Sequence, residues 1–248
     1  MTESNEKNLI TNTVNKVMGV KEKQTKNSYQ LTTENTELDL PLLIKYIVGT
    51  IVQIGAMIGF LWLLNQGFQQ LENNQVSSAI INTLTCVVFT IFSIRSRLFS
   101  PLDNTRSRSL YDNIQRPGWA PPPLAFPIVW MSIAVLRVIS SYMIWNQVDR
   151  NFLALPLIIF AIHLAVGDTW NTVFTVEGRL GFAVPVVIVG PLLSVFAVTW
   201  IYGQTLPIAG WILFPSCIWL TIASFLVYSI WQLNGKEPMY PLKLDDRQ

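Results

Sequence analysis

Gln115-Arg116-Pro117-Gly118-Trp119-Ala120-Pro121-Pro122-Pro123 is a basic, proline-stiffened loop with one tryptophan, and it runs straight into an apolar helix carrying Trp130 and Trp145. Three consecutive prolines hold the backbone near the extended polyproline form. A loop of this make-up holds an aromatic ring rigidly at the mouth of a membrane bundle. Whether the chain around it is a membrane bundle decides the fold.

Composition answers first. The chain has 248 residues, of which 51% are hydrophobic, 13% are charged and nine are Trp. That is too apolar and too poor in charge for an ordinary soluble domain. The near-neutral net charge of +2 argues against a nucleic-acid partner. Cys86 and Cys217 both lie in apolar segments without CxxC or metal spacing, and read as small buried hydrophobes. A single His rules out a multi-His metal site.

Six apolar stretches follow a polar start, at about 42–66, 76–99, 124–146, 152–176, 180–202 and 206–233. Each is near or above the ~20 residues that a helix needs to cross a bilayer. Residues 1–40 mix Lys, Glu, Asn and Thr and read as a disordered polar tail, neither a signal peptide nor a transit peptide. The resulting division is a tail at 1–40, an extra transmembrane helix at 41–68, a five-helix bundle at 76–234 and a polar C-terminal tail at 235–248.

The placement of Lys and Arg gives the topology. The N-terminal tail, the 100–121 loop with Arg106, Arg108 and Arg116, the turn at Arg179 and the C-terminus with Lys236 and Lys243 are basic. The opposite loops hold only Arg150. Six spans with both termini cytoplasmic fit this bias. A bacterial or cyanobacterial cell membrane is the expected location, with an organelle membrane left open.

Polar residues inside the spans come next. Arg137 lies mid-span in the third helix, and His163 and Asp168 lie in the fourth. At 1.5 Å per residue, Arg137 and His163 are about 20 Å and Asp168 about 12 Å from the basic side. Intramembrane ionisable groups pair with one another or line a cavity. An Arg137–Asp168 pair is either a structural lock between two helices or a polar floor beneath a ligand or proton path. Trp62, Trp145, Trp200 and Trp231 sit near span ends, as an interfacial belt would. Trp130, Trp170 and Trp219 lie deeper. Deep rings either pack the bundle or converge on a cavity for a flat aromatic or sterol-like ligand.

Tyr111 through Pro122, followed by Phe126-Pro127-Ile128-Val129-Trp130, resembles the first loop and second helix of the TspO family, the translocator or tryptophan-rich sensory proteins. His163 through Trp170 with Arg179-Leu180-Gly181-Phe182 resembles its third helix and the following turn. Pro207 through Trp211, Phe214-Pro215, Trp219 and Tyr228 through Asn234 resemble its fifth. The resemblance implies an all-α integral membrane protein, a TspO-like five-helix bundle with one additional N-terminal helix, usually dimeric. It also implies a pocket under the first loop that takes tetrapyrroles such as protoporphyrin, or in some members sterols. The positions matching family pocket residues are Trp119, Phe126, Pro127, Val129, Trp130, Trp170, Phe182, Trp219 and Ala223, with Arg116 and Pro117 at the entrance. Arg116 is expected to meet a porphyrin propionate.

The chain departs from the family pattern at Leu110, at Gly167-Asp168, at Pro215-Ser216 and at Leu226-Val227. The loose sterol pattern near the C-terminus fails on the spacing of Tyr228 and Lys236. There is no Ser–His–Asp arrangement and no Gly-rich phosphate loop, so no residues are assigned to catalysis and no cofactor is required. The expected function is a membrane receptor or sensor for a hydrophobic aromatic ligand, with a tetrapyrrole foremost. A transporter of such ligands and an enzyme of light-driven porphyrin breakdown are the alternatives.

Overall fold

The computed structural model describes residues 37–102 and 114–243. Most of the expected N-terminal tail, the loop residues Arg106, Arg108 and Tyr111, and the end of the C-terminal tail lie outside the described residues. Among the described residues six helices are long and apolar enough to span a bilayer: α1 Leu40–Asn73, α2 Ser78–Phe99, α3 Ala125–Gln147, α4 Leu155–Val176, α5 Leu180–Thr205 and α6 Pro207–Leu233. This is an all-α, multi-pass membrane architecture.

Local chemistry sets the helix ends. Asp39 caps α1 by accepting from the Leu42 N–H at 2.9 Å. Proline occupies the first turn of α1, α4 and α6, where its missing N–H costs nothing. Gly178, at φ 69°, turns the chain between α4 and α5. Pro185 and Pro191 fall inside α5, and the chain absorbs the lost donors in a π turn at Ile188–Leu192. At the α5–α6 hairpin a Cβ on Gly210 would come within 2.7 Å of Gly203 Cα, so the pair lets the two backbones touch.

Five helices form a ring in which α2 packs on α3, α3 on α6, α6 on α5 and α5 on α4. The end of α2 closes the ring against α4, and α1 docks on the outside of α4. The inward stripe of α1 is Tyr46, Gly49, Gln53, Met57, Leu61, Asn65 and Phe68, spaced by three and four residues along one helix face. The opposite face, with Ile47, Ile51 and Trp62, is exposed to lipid. Gly55 and Gly59 have nothing within 4 Å of a Cβ position, so the close approach their spacing permits is not to this chain's own bundle.

Two expectations change. Helix α1 does not end near residue 68 but runs to Asn73. The apolar run stops there, yet Gln, Glu and Asn are tolerated in a helix beyond the membrane edge, and Glu72 is held by Arg150 at 2.8 Å. The C-terminal segment is not a free tail over its described part. Leu38 and Leu242 form an antiparallel bridge, Arg179 donates to the Leu242 carbonyl at 2.9 Å, and Glu237 accepts from the Gly181 N–H. Both described chain ends and the α4–α5 turn therefore lie on one side of the bundle.

Candidate functional site

The proline-rich loop is pinned to the bundle before it reaches α3. Asn234, at the end of α6, accepts from the Gln115 N–H at 3.0 Å and donates to the Gln115 carbonyl at 2.9 Å. The next residue, Arg116, is thereby placed over the space between α3, α4 and α6. Beneath it lies a cavity of about 50 Å³ lined by Arg116, Phe126, Trp130, Trp170, Phe174, Trp219, Ala223 and, nearer the rim along α6, Leu226, Val227 and Ile230.

Helical spacing puts these side chains together. Phe126 and Trp130 are one turn apart on α3, and Trp170 and Phe174 one turn apart on α4. On α6, Trp219, Ala223, Leu226 and Ile230 follow a spacing of four, three and four. Phe126 meets Trp219 edge-on at 5.8 Å, and Trp170 stacks on Phe174 at 5.5 Å with the rings 6° apart. Trp170 Nε1 and Trp219 Nε1 are both buried and have no hydrogen-bond partner. Buried donors are nearly always paired; Trp145 Nε1, away from the cavity, is unpaired as well, so the indoles of Trp170 and Trp219 are donors available to a ligand rather than a mark unique to the site. The walls are apolar and aromatic, with spare donors and a cation at the rim, which suits a flat apolar body bearing acceptor or acidic groups.

Six of the expected ligand positions line this cavity: Arg116, Phe126, Trp130, Trp170, Trp219 and Ala223. Five do not. Trp119 is 53% exposed; the turn closed by Ala120 N–H to the Pro117 carbonyl at 2.9 Å carries it past the rim. Pro117, Pro127 and Val129 are partly buried beside the lining but outside it. Phe182 stacks instead on Tyr46 of α1, with centroids 5.7 Å apart, a partner that exists only because of the extra helix. Phe174, Leu226, Val227 and Ile230 were missed, although stepping one turn along α4 from Trp170 and one to two turns along α6 from Ala223 reaches them.

The expected Arg137–Asp168 pair is also corrected. Arg137 Nη2 lies 2.9 Å from His163 Nε2, while Asp168 accepts from Gln53 of α1 at 2.8 Å. The axial offset of the two charges is bridgeable, but their helices are rotated so that each faces a different neighbour. Asp168 belongs to a polar seam between α1 and α4. That seam also holds Thr50 with Thr169 at 2.6 Å, Tyr46 with Glu177, and Asn65 accepting from Phe152 N–H at 3.0 Å.

Comparison with known proteins agrees with this architecture. Residues 83–232 match the model of the TspO/MBR family. Protein CrtK of Rhodobacter capsulatus is 34% identical over 131 residues, 52% of this chain and 81% of that protein. A tryptophan-rich sensory protein of Cereibacter sphaeroides is 33% identical, covering 52% of this chain and 78% of its own length. The translocator protein of Sus scrofa is 31% identical, covering 50% of this chain and 74% of its own. The chain belongs to the TspO/MBR family, and α1 lies before the matched residues.

Proposed function

We propose that this TspO/MBR-family protein is a membrane receptor or sensor for a flat, hydrophobic aromatic ligand, a tetrapyrrole foremost, bound between α3, α4 and α6. The observation that carries the reading is the aromatic cavity under the pinned loop, flanked by the unpaired indole donors of Trp170 and Trp219. The names of the relatives, sensory and translocator proteins, support recognition or movement of a ligand.

A cavity of about 50 Å³ is far smaller than the roughly 300–1,000 Å³ of a drug-sized ligand site. Binding therefore requires the lining side chains and the Arg116 loop to part. Opening costs free energy, and the loop's prolines limit the entropy lost when it closes again. In this reading both chain ends face the cytoplasm, and two copies associate as a homodimer.

Titration of the purified chain with a panel of tetrapyrroles, followed by absorbance and Trp quenching, tests the proposal. Saturable one-site binding with quenching of Trp emission supports it. Failure of every tetrapyrrole and every planar apolar aromatic to bind overturns it. Net ligand flux in proteoliposomes would make the protein a carrier, and light-dependent ligand breakdown would make it an enzyme.

A further inference from the structure

A second polar group sits inside the ring, deeper than the cavity. Arg137 lies about twelve residues into α3, or about 18 Å along its axis, near mid-span. Arginine only donates, so His163 Nε2 accepts from Arg137 Nη2 and the ring proton sits on Nδ1. That proton goes to Ser194 Oγ at 2.8 Å, and Ser194 donates to the Pro191 carbonyl in the π turn of α5 at 3.2 Å. The relay joins three helices and ends on a neutral carbonyl. Arg137 Nε remains buried without a partner.

Among the described residues the guanidinium thus contacts a neutral ring and no carboxylate, while Asp168 is bonded to Gln53 and acts on Arg137 only at longer range. A cation without a contacting anion in a membrane interior is costly and is characteristically functional. Its position points to the use. Arg137 is seven residues from Trp130 on α3, and His163 is seven residues from Trp170 on α4. Seven residues are two turns, so both polar residues lie on the cavity-facing sides of their helices, about 10 Å further in. Between the levels Trp130 packs on Val195, Cys217 and Leu220, small or aliphatic side chains that an apolar ring can press against.

We infer that Arg137, oriented by His163 and Ser194, is the inner end of the binding site and takes the carboxylate of an acid whose flat ring lies in the aromatic cavity. The inference rests on the reading of that cavity as an aromatic-ligand site. The free Nε–H and the remaining Nη donors supply the fork that a carboxylate matches. Arg116 is engaged within the chain at the rim, and the acidic arm points inward, away from it.

The full-length chain in lipid nanodiscs, titrated with a dicarboxylic porphyrin and with its dimethyl ester, tests the assignment. Wild-type protein binds the acid about tenfold or more tighter than the ester. In Arg137→Gln and Arg137→Leu the preference collapses to about twofold, while ester affinity is kept, which shows an intact cavity. The two variants differ in that leucine leaves His163 Nε2 without a donor whereas glutamine can still supply one, and kept ester affinity reports an intact fold in each. Trp62→Ala, on the outer face of α1, keeps the preference. Equal binding of acid and ester by the wild type, a preference that survives both Arg137 variants, or one lost in Trp62→Ala as well overturns the inference and leaves the cavity reading standing. If neither porphyrin binds, the cavity reading itself falls.

Discussion

Asp168 and Thr169 face α1, whereas Trp170, on the other side of the same turn, and Phe174, one turn further on, face the cavity. On the α1 side Asp168 meets Gln53, Thr169 meets Thr50 and Glu177 meets Tyr46. On the cavity side the indole N–H groups of Trp170 and Trp219 meet nothing. The seam is closed by polar contacts along its length, with Gln53 Oε1 a buried orphan among the described residues. Membrane helices gain little from apolar burial, because lipid is as apolar as a core, so such contacts fix how they associate. The difference separates a permanent structural contact from a surface that keeps donors for a guest. Changes in the seam should alter stability and spare ligand binding; changes in the cavity should do the reverse.

Removing α1 is the largest test of that division. A chain lacking residues 1–73 loses the seam's cross-helix hydrogen bonds and the packing of Met57, Leu61 and Phe68. At about 0.6–1 kcal/mol per hydrogen bond plus packing, the loss is on the order of 3–5 kcal/mol. Thermal unfolding reads it, and ligand affinity of the remaining folded fraction stays within about threefold. A large loss of affinity would join the two regions.

Gln53→Leu narrows the test to one contact. It strips Asp168 of a 2.8 Å donor and the Ser96 carbonyl of one at 3.2 Å. Stability falls by about 1.5–3 kcal/mol, as for other hydrogen bonds to charged groups, with affinity unchanged. Trp219→Phe does the opposite. It removes a donor that has no partner, so the ligand-free protein keeps its stability, while an acceptor-bearing ligand loses about 0.5–1.5 kcal/mol of binding. Paired melting and titration curves of the two variants separate the regions directly.

The smallest expected effect lies where the C-terminal segment docks. Burial raises the Glu237 carboxyl above its ordinary range, against the pull of the Gly181 N–H and Arg179. The folded chain then holds a proton there at pH values where the unfolded chain has lost it. Stability from this site is fullest below the ordinary carboxylate value and declines as pH rises through the raised one. Glu237→Gln should flatten this mild-acid decline, by less than about 1 kcal/mol. An unchanged profile would remove Glu237 as its source.

The sequence carried the spans and the family, because apolar run length and proline-rich loop chemistry are local signals. It carried the cavity in part. Trp130, Trp170 and Trp219 were legible as deep rings, but Phe182 was assigned to the pocket when its ring belongs to Tyr46 of a helix outside the family match. The seam was hardest to see. In a membrane helix the lipid face and the protein face are both apolar, so α1 shows little amphipathic contrast, and only Thr50, Gln53 and Asn65 mark the inward side. The Arg137–Asp168 pairing failed for a related reason: depth along a helix follows from counting residues, whereas rotation toward one neighbour or another is set by packing.

In the proposed function the rings around the cavity hold a ligand rather than only fill the bundle. Titration of Trp130→Ala and Trp62→Ala with a porphyrin, each beside the wild type, tests it most directly. Trp130 lines the cavity, whereas Trp62 is 51% exposed on the outer face of α1. Trp130→Ala should weaken binding by about 1–3 kcal/mol, and Trp62→Ala should leave affinity unchanged. If Trp130→Ala instead lowers thermal stability while the folded protein binds porphyrin as tightly as before, the cavity is packing and the claim is contradicted.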